Sequence, residues 1–126
     1  MANNEKPVIL VAEDEPDIRQ LIKLSLEFSG YQIFEAANGI DAIEIAQKER
    51  LDLIILDVRM PRLDGYETCR RLQELESTRE IPIIFLSAKG QEEEVLAGIS
   101  AGAEEYIIKP FAPGTLAQKI EKVLAG

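Results

Sequence analysis

The sequence predicts an α/β fold, a doubly wound five-stranded parallel sheet with helices on both faces. Three observations predict it. Short apolar runs alternate with amphipathic stretches five times along the 126 residues. Runs one, three and four are apolar throughout, as expected of strands covered on both sides. No linker or low-complexity segment interrupts the alternation. Strands and helices alternating through right-handed crossovers build such a sheet, and five units fit the flavodoxin-like (βα)5 order 2-1-3-4-5 best. The length suits one domain, 1–126, with a core over about residues 7–124 and no output domain attached.

The elements follow in order. A first strand is read at Pro7 to Val11, then a helix from Pro16 to Phe28 in which Ile18, Leu21, Ile22 and Ser25 share a face. Gly30 stands where a helix C-cap is expected. The second strand, Tyr31 to Ala36, alternates apolar and polar residues and so belongs nearer an edge. Asn38-Gly39 punctuates the turn into a second helix, Gly39 to Lys48. A third strand at Leu53 to Leu56 leads to Asp57 and a Met60-Pro61 stop, and the third helix is read at Gly65 to Leu75. Then come a strand at Ile83 to Leu86, a fourth helix at Glu92 to Ala101 and a fifth strand at Tyr106 to Ile108. A last helix at Thr115 to Leu124 carries Leu116, Ile120, Val123 and Leu124 on one face, with Gly126 as its cap.

Composition removes several classes of chemistry. A formal charge of −9 opposes nucleic acid backbones and anionic lipid, and no apolar run approaches the roughly 18 residues that a membrane helix needs. Neither direct nucleic acid binding nor membrane insertion is expected. The start, MANNEKP, lacks the apolar core of a secretory signal, so a cytoplasmic location is the expectation. With no histidine, Ser-His-Asp and Cys-His nucleophilic sites and histidine-containing zinc sites are excluded. Cys69 has no partner for an internal disulfide and reads as a small buried hydrophobe.

In the 2-1-3-4-5 order, strands one and three are neighbours and ligands bind at their carboxyl ends. There the sequence places Glu13 and Asp14 after strand one and Asp57 after strand three, with Ser87 and Lys109 at the ends of strands four and five. Three carboxylates in one cleft repel one another unless a cation joins them. Oxygen donors without imidazole or thiolate favour a hard ion, magnesium, or manganese in its place. Each residue alone has a plainer explanation: Asp14 a helix start, Asp57 a turn aspartate, Ser87 a loop hydroxyl, Lys109 a strand-end lysine with a snorkelling stem. Their joint delivery to one crevice favours the metal site.

The same residues carry a resemblance. VAEDEPDIRQLI, LIILDVRMPRLDGYETCRRL, PIIFLSAKG and GAEEYIIKPF, in this order from about Val8 to Leu124, resemble the CheY-like receiver domain of bacterial two-component response regulators. The resemblance implies a phosphoacceptor role for Asp57 and a magnesium site made by Glu13, Asp14, Asp57 and the backbone carbonyl of Arg59. It also implies phosphoryl binding by Lys109, switch roles for Ser87 and Tyr106, and a cis Lys109-Pro110 bond. Glu104-Glu105 stands where the family usually has two aspartates. The implied donor is a phosphohistidine on a separate sensor kinase or phosphotransfer protein, and the implied output is a downstream target protein met by the face of the fourth helix, fifth strand and fifth helix. Either a monomer or a phosphorylation-dependent dimer is compatible with this.

Two other functions fit less well. A haloacid-dehalogenase-type phosphohydrolase needs a second aspartate two residues after the nucleophile, where this chain has Arg59. A flavin-binding domain needs a neutral, hydroxyl-rich or basic phosphate loop where this chain is acidic. The domain is therefore expected to catalyse only its own phosphorylation and dephosphorylation. In receiver domains the positions two beyond the acceptor and two beyond the switch hydroxyl flank the path of attacking water, and here they are Arg59 and Lys89. Both are long and basic, and they are expected to slow hydrolysis. An Arg59→Ala, Lys89→Ala double variant, once phosphorylated, should lose its label faster than the wild type in a chase assay; a slower loss would rule the shielding role out.

Overall fold

The structure is a computed structural model that describes residues 6–88, 105–109 and 111–126. Five strands, β1 (Val8–Ala12), β2 (Gln32–Ala36), β3 (Leu53–Asp57), β4 (Ile83–Ala88) and β5 (Glu105–Lys109), form one parallel sheet in the order β2-β1-β3-β4-β5. The helices described are α1 (Pro16–Phe28), α2 (Gly39–Lys48), α3 (Gly65–Glu74) and a C-terminal helix, Pro113–Ala125. The helix expected at Glu92 to Ala101 and the Lys109-Pro110 bond lie outside the described residues.

Side-chain alternation along the strands divides the core into two layers. Leu10, Ala12, Ile54, Leu56, Ile83 and Phe85 face α2 and α3, where Ala42, Ala46, Cys69 and Leu72 meet them. Ile9, Val11, Leu53, Ile55, Ile84 and Leu86 face the other way, onto Ile22 and Leu26 of α1 and Leu116 and Ile120 of the C-terminal helix. Full burial of one such side chain stabilises the fold by about 1.5–3 kcal/mol. These two layers therefore outweigh any single cap, which is worth about 1 kcal/mol. The alternating strand is β2, which lies at the edge and is mostly half-buried.

Local signals explain the boundaries. Gly30 has φ +100°, and α1 closes with Gly30 N–H donating to Glu27 O at 3.0 Å and Tyr31 N–H to Leu26 O at 3.1 Å, the paired bonds of a Schellman ending. Asn38 caps α2 by accepting from the Asp41 amide at 2.9 Å, and Asp64 caps α3 by accepting from the Glu67 amide at 2.9 Å. The C-terminal helix starts at Pro113, two residues before the expected Thr115, because proline suits the first helical turn. One expectation fails: Leu21 is 65% exposed, and the buried stripe of α1 runs through Ile18, Ile22 and Leu26 instead. Helical spacing alone admitted both stripes, and contact with the sheet selects one.

Cys69 is fully buried among apolar side chains, and burial pushes its thiol up to about 11. It stays protonated and packs as a small hydrophobe.

Candidate functional site

The sheet order makes β1 and β3 neighbours, in register from Ile9 opposite Leu53 to Ala12 opposite Leu56. The next residues along, Glu13 and Asp57, therefore emerge side by side at the carboxyl edge. Glu13 is fully buried and Asp57 is 4% exposed. Together with half-buried Asp14, they place carboxylate oxygens within 4.8 Å of one another.

Asp14 does not act as the helix cap that its position before Glu15-Pro16 suggested. Glu15 is the N-cap residue of α1, with no side-chain cap bond. The Glu15 amide instead donates to Glu13 Oε2 at 3.2 Å. With the capping explanation gone, Asp14 is an acid held next to two others.

Lys109 ends β5, and its side chain reaches back over β4. Strands lie about 4.8 Å apart, so β3 and β5 are separated by roughly 10 Å; a long stem is required. Its Nζ donates to Asp57 Oδ2 at 3.1 Å and to Glu13 Oε1 at 3.2 Å. The other Asp57 oxygen, Oδ1, accepts from the Arg59 amide at 3.3 Å. Ser87, expected after the end of its strand, lies within β4 opposite Ile108 and is 1% exposed. Because registered partners of a parallel pair point to the same side, Ser87, Phe85 and Tyr106 share one face of the sheet. Tyr106 is half-buried at that face, with Lys119 Nζ 5.8 Å from its ring centroid. Glu105 pairs with Lys119 and Lys122 of the C-terminal helix, both at 3.3 Å, and plays no part in the acid cluster. Lys89 and Glu104 lie outside the described residues.

Charge at this edge is unbalanced. Burial, then hydrogen bonding to Asp57 and repulsion from its charge, push the Glu13 carboxyl up to about 8, although Lys109 pulls it down. Burial would lower Lys109, yet the negative charges of Asp57 and Glu13 outweigh burial and raise it. Glu13 moves upward chiefly because burial disfavours its charged form, with Asp57 adding to the effect, and Lys109 moves upward because one ammonium gains from two acids. With its carboxyl pushed up to about 8, Glu13 keeps its proton at neutral pH while the cluster is metal-free. Three convergent carboxylates, with neither imidazole nor thiolate, are the donor set of a hard divalent cation.

Gly65 was legible only as a helix start, and its position does more. The loop after β3 folds back so that the Gly65 amide donates to Val58 O at 2.8 Å. A Cβ there would collide with the Asp57 carbonyl and the Val58 Cα. Only glycine lets α3 begin this close to Asp57.

A family model for the response regulator receiver domain matches residues 9–121. The chain belongs to this family. Receiver domains are signalling domains of two-component systems. This one is similar to the phosphate regulon transcriptional regulatory protein PhoB of Pseudomonas aeruginosa, 42% identical over 116 residues that cover 92% of this chain and 51% of PhoB. The chain spans about half the length of the curated relatives it matches. Among solved structures, the chemotaxis response regulator CheY4 of Vibrio cholerae superposes with a TM-score of 0.89 at 33% identity, covering 94% of this chain and 99% of that one. The receiver domain of the sensor histidine kinase PA1611 from P. aeruginosa gives 0.90 at 32% identity, covering 97% of this chain and 100% of that one, and has a magnesium ion coordinated in its active site cleft. No helix among the described residues is long and apolar enough to cross a membrane.

The raised Glu13 carboxyl sets a pH dependence. The unfolded chain releases this proton near 4.5 and the folded, metal-free chain near 8, so stability is greatest below that window and falls as pH rises through it. Lys109, raised from 10.5, remains charged throughout. Thermal melts in chelator should show the wild-type Tm falling from pH 5 to pH 8 and Glu13→Gln nearly flat, the variant being more stable at pH 8 by at least about 1 kcal/mol. Parallel profiles would contradict the crowding.

Proposed function

We propose that this receiver domain accepts a phosphoryl group on Asp57 from a phosphohistidine of a separate kinase or phosphotransfer protein, in a magnesium-dependent reaction. The observation that carries the reading is the buried Asp57 carboxylate, in contact with Lys109 and clustered with Glu13 and Asp14 at the carboxyl end of the central strand. Glu13, Asp14, Asp57 and the Arg59 carbonyl would hold the ion, as the magnesium in the cleft of the PA1611 receiver supports. When bound, the ion supplies positive charge for the transferring phosphoryl oxygens.

The chain's own residues supply the rest. A carboxylate is a weak nucleophile, so catalysis here is alignment and charge compensation. The Lys109 ammonium and the Arg59 amide grip opposite oxygens of Asp57 and fix the plane of its carboxylate. An Asp57 oxygen attacks phosphorus as the donor's nitrogen–phosphorus bond breaks, and the imidazole leaves with the donor. Lys109 then turns its ammonium from the carboxylates to a phosphoryl oxygen. The product, an aspartyl phosphate, is an acyl phosphate open to water, and the lifetime role proposed for Arg59 and Lys89 is to slow that attack.

Ser87 and Tyr106 carry the signal outward. They share a face of adjacent strands, so a Ser87 hydroxyl drawn towards the phosphoryl group makes room into which the Tyr106 ring turns. Moving such a switch from nearly off to nearly on takes about 5.5 kcal/mol of preference for the active state. The face bounded by β5 and the C-terminal helix, with Tyr106, Ile108 and Lys119 around a groove of about 310 Å³, is the output surface for a target protein or a second copy. The domain acts in the cytoplasm as one receiver unit, without direct contact to nucleic acid or membrane; its curated relatives are transcriptional regulators, so a longer protein can couple it to DNA.

Incubation with a small acyl phosphate and magnesium should add the mass of one phosphoryl group, located at Asp57 by peptide mass spectrometry. Asp57→Asn and addition of chelator should each abolish it. Label on another residue, or undiminished labelling of Asp57→Asn, would overturn the assignment.

A further inference from the structure

The turn between β1 and α1 carries two of the three clustered acids, and no side-chain cap at the start of α1 holds it. Glu13 lies beyond the end of β1. A residue from the first turns of α1 does the fixing. Arg19 Nη1 donates to the backbone carbonyl of Glu13 at 2.7 Å, and Arg19 Nε donates to Glu35 Oε1, on the edge strand β2, at 3.2 Å. Lys23 Nζ meets the other Glu35 oxygen at 3.4 Å. On the opposite side of the same residue, the Glu13 amide donates to Ala36 O at 3.0 Å.

Glu13 is therefore gripped at both of its peptide groups. Its carbonyl and the Asp14 amide belong to one rigid plane. Fixing that oxygen fixes the direction in which the chain leaves towards Asp14, and with it the approach of both carboxylates to Asp57. We infer that Arg19 is a positioning residue for the metal site, bracing the Glu13–Asp14 peptide against Glu35. This rests on the magnesium reading proposed above. The planar fork of a guanidinium makes the two divergent bonds at once, which an ammonium at the end of a lysine does poorly.

Charge and geometry predict opposite signs here. Taking a cation away from an acidic cluster leaves it more negative, and by charge alone would tighten magnesium binding. Loss of a brace loosens it.

Calorimetric titration of the whole chain with magnesium at fixed ionic strength tests this. Arg19→Ala should bind about tenfold more weakly than the wild type, a typical effect of losing a residue that orients metal ligands, and Arg19→Lys should recover part of the loss. Lys23→Ala, which also removes one positive charge from Glu35, should show no weakening. Unchanged or tighter binding by Arg19→Ala overturns the brace. In metal-free protein, the Glu13 carbonyl-carbon resonance should move in Arg19→Ala and stay in Lys23→Ala; an unmoved resonance in Arg19→Ala likewise overturns it. If the wild type takes up no magnesium, the magnesium reading falls, while this resonance still reports on the brace. Should Arg19→Ala fail to fold, Arg19→Lys keeps the charge and loses the fork: magnesium binding weaker than the wild type supports the inference and unchanged binding contradicts it.

Discussion

Crowding of like charge at the carboxyl edge of β1 and β3 is the constraint on which the rest depends. Two acids, one fully buried and one 4% exposed, stand beside a third within 4.8 Å. Burying charge is costly unless it is paired, and the single positive charge of Lys109 is divided between Glu13 and Asp57. The upward displacement of the Glu13 carboxyl is the visible consequence. Among the described residues, one ammonium faces two buried acids, and an edge of this kind is receptive to a divalent ion. Under the proposed function, stability given up at the edge would be returned when cation and phosphoryl group arrive.

The sheet exists, in this sense, to hold the crowding in place. β1, β3 and β4 are apolar up to their carboxyl ends because helices cover both faces, so those ends are rigid platforms. Gly65 permits the loop after Asp57 to fold tightly back, and the Arg59 amide within that loop orients the Asp57 carboxylate. Lys109 crosses a whole strand to reach the acids. Ser87 and Tyr106 connect the same platform to the face of β5. The proposed site and the proposed output face thus share paired strands.

Much of this was legible in the sequence. The strand order followed from five alternating units, and the edge position of β2 from the alternation in YQIFEA. Glu13, Asp14, Asp57 and Lys109 were legible because each stands at the end of an apolar run, and topology brings such ends together. What was hidden depended on contacts that spacing does not encode. Leu21 fits the helical face as well as Leu26, and only the sheet decides between them. Arg19 has no motif of its own; its bonds to the Glu13 carbonyl and to Glu35 require the turn to be folded first. Ser87 was legible at the end of the fourth strand, but its place inside β4 was not, because the pairing of β4 with β5 continues past Leu86.

If the Glu13 carboxyl keeps its proton until a metal arrives, metal uptake must expel it. Calorimetric titration of the wild type with magnesium near pH 7, repeated in buffers of different ionisation enthalpy, counts the protons exchanged. The account predicts release of about one proton per ion bound. Binding with no proton released, or no binding at all, would show that the three carboxylates tolerate one another without help.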